Sequence, residues 1–250
     1  MIHTIGQNLY TWKKILLWSI LSFKAGMLNA AGFLFAGYFV SHVTGFGTQI
    51  GITIGHEEYA FGIELLVIPV FFILGGFVTS LILDVDYDEK KIPRYDYVQL
   101  LITALLGVIS TLFLIDFYDS SVLPMKHDDN TIFLIALLCF VCGLKNGLST
   151  WSTSGKIRTT HLTGLSTDIG LHLPKVIISR SFNSKFPEEN IVTYTRLITL
   201  LSFSIGSFFS AMFIHKLGEV IFYVTFIISL GLLYISITNR RRLVRLSKGA

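Results

Sequence analysis

The sequence predicts an all-α, polytopic membrane protein. Six transmembrane helices are expected as two inverted three-helix repeats, with broken or re-entrant half-helices between some of the spans. Three observations carry this expectation: a shortage of charge, six long apolar stretches, and one pattern that occurs twice. Charged residues make up 14% of the 250 residues and hydrophobic residues 52%, whereas soluble domains usually carry about 25% charged residues. A mean hydropathy of +0.65 also favours lipid as solvent. The net charge of +4 does not point to nucleic acid, because the basic residues gather at the ends of the apolar stretches.

The stretches run from Ile15 to Phe39, Gly62 to Leu83, Tyr97 to Ile115, Thr131 to Trp151, Ile191 to Ile214 and Val220 to Thr238. Each approaches or exceeds the ~20 residues that cross a bilayer core as a helix. Helix is the expected form, since an open sheet leaves backbone groups unpaired in lipid. The second stretch contains Pro69, which membrane helices tolerate. Lys13 and Lys14 before the first stretch, with Ala30 and Ala31 inside it, give it the outline of a signal peptide. Cleavage is not expected, because the same small-residue motif recurs in mid-chain.

Six spans place the termini on one side with the second-third and fourth-fifth loops. Fifteen Lys and Arg fall on that side, including Arg94, Lys156, Arg158, Lys175, Arg180 and Lys185. Only Lys126 and Lys216 fall on the other. The positive-inside rule then makes both termini cytoplasmic.

The repeat joins Gly26-Met-Leu-Asn29 to Gly143-Leu-Lys-Asn146, and the eleven residues from Ser41-His42-Val-Thr44-Gly45 to those from Thr160-His161-Leu-Thr163-Gly164. It continues in Ile73-Leu-Gly75-Gly and Ser204-Ile-Gly206-Ser. The chain is expected to be a single membrane domain over 1–250, with repeats at 13–116 and 129–238 and a basic cytoplasmic tail at 239–250. An odd number of spans per copy sends the second copy through the membrane the other way. Such inverted repeats recur in transporters and also in channels.

Thr44-Gly45 and Thr163-Gly164 precede short apolar runs, and Thr is a good N-cap. Half-helices starting near Thr44 and Thr163 would aim free N–H groups at an anionic ligand. The competing reading is that His42, His161 and the threonines only cap helices at the interface. Gly143 and Gly147, like Gly26 and Ala30, form small-x-x-x-small faces suited to close helix packing. Asn29 and Asn146 lie beside those faces, as interhelical hydrogen-bond glue or as ligand contacts. Lys24, Lys145 and Arg196 are charges within spans, and such charges are costly. Lys24 and Arg196 are near enough to the cytoplasmic end to snorkel. Asp168 is expected to pair with Arg196 or Lys145, and its protonation would offer a coupling to protons.

Gly-x-x-Asn followed by a paired His-x-Thr-Gly segment, in six spans of this length, resembles the YoaK-like family of bacterial inner-membrane proteins. The second copy, Arg158-Thr-Thr-His161-Leu-Thr163-Gly164, fits that pattern best. The first copy carries Phe46 and Gln49 where the second has Leu165 and Asp168. The resemblance implies a fold and an inner-membrane location but no activity.

Other signals are weaker. Cys139 and Cys142 are spaced Cys-x-x-Cys but lack a second ligand pair, so packing is the expected role. His161, Asp168 and His172 could form a metal trio, but only His161 has a counterpart in the repeat. No nucleotide loop or nucleophile elbow is present, and neither an enzyme nor a cofactor is expected. Asp84 to Asp96 reads as a solvated loop, and Arg240 to Lys248 as a tail near anionic lipid. The function expected is a small secondary transporter or channel. Its substrate-binding residues would be Asn29, His42, Thr44, Gly45, Lys145, Asn146, His161, Thr163, Gly164, Asp168 and Arg196. The alternative is a non-transporting scaffold, sensor or assembly subunit. Expected partners are the lipid bilayer and a small polar or anionic solute, with a homo-oligomer left open.

Overall fold

A computed structural model describes residues 11–84, 92–119, 121, 123–153, 155, 162–182 and 187–248. Among these residues every regular element is a helix: α1 Trp12–Ala36, α2 Val43–Gly55, α3 Tyr59–Glu64, α4 Val67–Asp84, α5 Tyr95–Leu114, α6 Asp129–Ser152, α7 Leu162–Phe182, α8 Pro187–Leu217 and α9 Val220–Lys248. Six segments are long and apolar enough to cross a membrane: α1, α3 with α4, α5, α6, and most of α8 and of α9. They correspond to the six stretches of the sequence. Large apolar side chains face outward along them, including Phe77 on α4 and its repeat counterpart Phe208 on α8. Such a surface suits a bilayer.

The boundaries differ from expectation in four places, each with a local cause. The first span ends at Ala36 rather than Phe39, because Gly37 takes the left-handed conformation (φ 79°) and donates its N–H to the Phe33 carbonyl. The second span breaks between α3 and α4 at Leu65-Leu66. Pro69 has no N–H for the Leu65 carbonyl four residues earlier, and its ring crowds that carbonyl. The stretch up to Asp96 is not all loop, since Tyr95 and Asp96 already lie in the first turn of α5. The basic tail is not a separate segment either, since α9 runs through it. Arg240 donates to Asp96 at 2.9 Å and lies over the ring of Tyr97.

Packing between the spans is reciprocal. α1 lies against α8, and α6, the repeat counterpart of α1, lies against α4, the counterpart of α8. α5 lies against its own counterpart α9. Glycines set both close crossings. A Cβ on Gly26 or Gly206 would fall far inside van der Waals contact with the Phe203 or Phe23 carbonyl. A Cβ on Gly143 or Gly75 would meet the Phe72 or Phe140 carbonyl in the same way. Hydrogen bonds cross at the same two places, from Ser207 Oγ to the Gly26 carbonyl (3.1 Å) and from Thr79 Oγ1 to the Leu144 carbonyl (3.0 Å). Gly147 also packs on Thr79. The small-residue faces of the sequence are therefore packing faces.

The start of α6 is capped by Asp128, whose Oδ1 accepts from the Thr131 N–H at 2.8 Å. That N–H, and then the Thr131 hydroxyl, hold the carboxyl below the usual carboxylate range. A depressed folded-state pKa contributes stability above the unfolded value of about 3.9 and loses it as pH falls through the folded value. Asp128→Ala should cost about 1 kcal/mol at neutral pH, as helix caps do. Thermal melts from pH 7 down to pH 3 should show the two proteins converging in acid. Identical melting at pH 7 would remove the cap from the stability of α6.

Candidate functional site

A cavity of about 270 Å³ opens between the α1–α2 turn and helices α4, α7 and α8. Its described lining comes from both copies: Asn29 of α1, the Phe39–Thr44 turn, Phe72 of α4, Leu162 and Thr163 of α7, and Phe203 of α8. Phe72 and Phe203 are counterparts, as are Thr44 and Thr163.

The first copy shows how the chain builds this wall. Gly37 reverses the chain at the end of α1. Phe39 then stacks on Phe33 with ring centroids 4.3 Å apart, and the His42 ring meets Phe39 edge-on at 6.5 Å. Gly32 leaves room for Val40, whose Cγ1 would lie 2.7 Å from an added Cβ. Ser41 is thereby set over α1, where its N–H and hydroxyl donate to Asn29 Oδ1 at 3.1 and 2.8 Å. Gly45 gives the His42 ring its space, since an added Cβ would lie 2.6 Å from Nδ1. The small residue after Thr44 thus lets the histidine three places before it fold back over the start of α2.

His42 is the N-cap residue of α2, but its side chain makes no capping bond. α2 and α7 start within one residue of Thr44 and Thr163, as expected, but the threonines lie just inside the helices rather than at their N-caps. Both N-termini therefore reach the cavity with first-turn N–H groups directed outward, as helix starts do. Neither first turn carries an acidic residue. The described lining contains no Asp, Glu, Lys or Arg. Chemically this is a wall with partial positive potential, suited to hydrogen-bond acceptors and to a single negative charge.

The cavity gathers Asn29, His42, Thr44 and Thr163 from the expected site. It does not gather the others within its described lining. Asp168 and Arg196 pair with each other, Nη2 to Oδ2 at 3.0 Å. Arg196 is thus held by the carboxylate, and Lys145 is not its partner. His172 Nδ1 lies 2.7 Å from the Asp168 carbonyl and 3.3 Å from Arg196 Nη1. Lys145 is fully buried and opens on a second, smaller cavity. Asn146 is buried in α6, and Gly164 lies on α7, exposed. His161 lies outside the described residues. Lys24 does not snorkel: it is fully buried and donates to Ser229 Oγ at 3.2 Å. Cys139 and Cys142 are free thiols in the core.

The expected α7 half-helix, a short run up to Leu173, is in fact 21 residues long and passes through Pro174. Sequence reasoning missed the aromatic part of the wall. Phe39, Phe72 and Phe203 were legible only as three of 21 phenylalanines. The alignment of Phe72 with Phe203 in the repeat was the available signal.

These features define a class: a multi-pass helical membrane protein with a cavity lined by both aromatic and polar side chains. The family described as "Protein of unknown function (DUF1275)" matches residues 17–236, and the chain belongs to it. No curated protein and no solved structure matches the chain.

Proposed function

We propose that the chain is a small secondary transporter or channel for a small polar or anionic metabolite, with the shared cavity as its binding site. The observation that carries the reading is the approach of two helix N-termini, one per repeat, to one cavity without Asp, Glu, Lys or Arg in its described lining. About 270 Å³ lies just under the ~300–1,000 Å³ of drug-sized ligand sites, which favours a compact solute. The reciprocal packing of α1 on α8 and α6 on α4 supports an inverted repeat about an axis in the membrane plane. Alternating access then follows when the halves exchange conformations. In this reading the protein sits in a bacterial inner membrane with both termini cytoplasmic. The non-transporting alternative, a scaffold, sensor or assembly subunit, draws on the tight glycine crossings, which equally suit a rigid body.

A thermal-stability screen of the purified protein against small metabolites tests the site, because a ligand that binds only the folded state raises its stability. Topology is tested separately with single cysteines at Lys126 and Arg94 in a chain lacking Cys139 and Cys142. An impermeant thiol reagent should reach position 126 from outside the cell and position 94 only after permeabilisation. Labelling of both from the same side would end the six-span, inverted arrangement.

A further inference from the structure

We propose that the small cavity around Lys145 binds one small monovalent anion of halide size. It shares no described lining residue with the larger cavity, and the inference does not rest on the solute reading. The cavity sits where α1 and α5 begin and where α6 nears its end, closed on one side by α9. Its volume is about 20 Å³, room for about one water-sized occupant.

The argument begins with unmet donors. Eight buried side-chain polar atoms lack a hydrogen-bond partner among the described residues, and three of them belong to residues lining this one cavity: Lys145 Nζ, Trp18 Nε1 and Tyr95 Oη. Native structures leave few such groups, and their clustering around a void marks a missing occupant. The chemistry of the three narrows what that occupant is. An ammonium and an indole N–H only donate, and a phenol donates as readily as it accepts. Three donors without a carboxylate among the described lining favour an anion over a cation. With no carboxylate there, no described wall residue neutralises the lysine.

The surrounding groups add to the positive side. The second buried lysine, Lys24 on α1, lies within electrostatic reach of Lys145, as does the Cys142 thiol. Ser149 and Ser152 on α6 already donate their hydroxyls to the Asn146 and Ser149 carbonyls. An uncompensated ammonium inside a membrane protein is costly, so Lys145 takes up its proton together with the anion. An anion in the cavity removes that cost and accepts from all three orphaned donors at once. A single water accepts from only two of the three.

The test uses the full chain in detergent, with sodium gluconate replaced by sodium chloride or bromide at constant ionic strength. The thermal midpoint is expected to rise saturably by at least about 2 °C. Bromide is chosen because it lacks the general stabilising effect of sulfate. Lys145→Met should abolish the rise. Trp18→Phe keeps the shape, removes one donor, and should weaken the apparent halide affinity about tenfold. If Lys145→Met does not fold, Trp18→Phe and Tyr95→Phe decide. An unchanged midpoint in the wild-type protein means that water alone fills the cavity, and overturns the proposal. A halide response of equal size in the donor variants also overturns it.

Discussion

An alanine at Gly26 or Gly206 is expected to separate α1 from α8 and to unfold or severely destabilise the protein. In most overpacked cores a flexible side chain yields, and the cost is about 1–3 kcal/mol. Here the added methyl meets main-chain carbonyls of the facing helix, which no rotamer change can move. The whole helix must shift, and a cost of about 3 kcal/mol or more follows, among the largest that a single methyl produces. Gly143→Ala and Gly75→Ala should do the same to α6 and α4. Gly231→Ala on α9 is the control, since nothing lies within 4 Å of its added Cβ. There the change should be neutral, or stabilising by up to about 1 kcal/mol through helix propensity. Gly26→Ala with Gly206→Ala should be strongly non-additive, because one separation relieves both clashes, whereas Gly26→Ala with Gly143→Ala acts on different crossings. Thermal midpoints in detergent and the monodisperse fraction on size exclusion read the effect. Melting of Gly26→Ala like Gly231→Ala would show that the close crossing does not exist.

The second large effect concerns the cavity. Once a stabilising solute is found, Thr163→Ala and His42→Ala should each weaken it by about 10- to 100-fold, the equivalent of about 1–3 kcal/mol for a lost buried hydrogen bond. The unliganded proteins should melt normally, since His42 caps nothing and both side chains are exposed. Asp168→Asn should leave affinity unchanged, because that carboxylate serves Arg196. The contrast separates two sites that the sequence merged into one. Should Asp168→Asn abolish binding while Thr163→Ala does not, the ligand sits at the ion pair and the shared cavity is empty of function.

Much of this was legible in the sequence, for identifiable reasons. Spans announce themselves by length and apolarity, and the repeat is written in residue identity, so Asn29, His42, Thr44 and Thr163 could be grouped before any coordinates. What periodicity does not carry is which helix lies across from which. The Gly-x-x-Asn motif says that α1 approaches something closely, but not that the partner is α8 of the other copy. Lys145 was misplaced for the same reason. It adjoins Asn146 in sequence, yet a step of one residue along a helix turns the side chain by about 100°, here toward Trp18 and Tyr95. The Asp168–Arg196 pair was one of the two pairings read from the sequence, since few opposite charges were available inside spans, and it is the one that forms. The end of α1 was also readable, had Gly37 been taken as a C-cap.

The glycine crossings also have a consequence for biosynthesis. The carbonyl of Gly26 and the hydroxyl of Ser207 that bonds to it are 181 residues apart. At translation rates of about 5–20 residues per second, roughly 10–35 s separate their emergence from the ribosome. Throughout that interval α1, with Lys24 on it, has no α8 to lie against and no Ser229 to bond. α1 is made well before its main neighbour, and the nascent chain is expected to be held by the insertion machinery until α8 and α9 arrive. A ribosome-bound chain stopped after α6 should therefore crosslink through α1 to that machinery, and the contact should disappear once α9 has emerged.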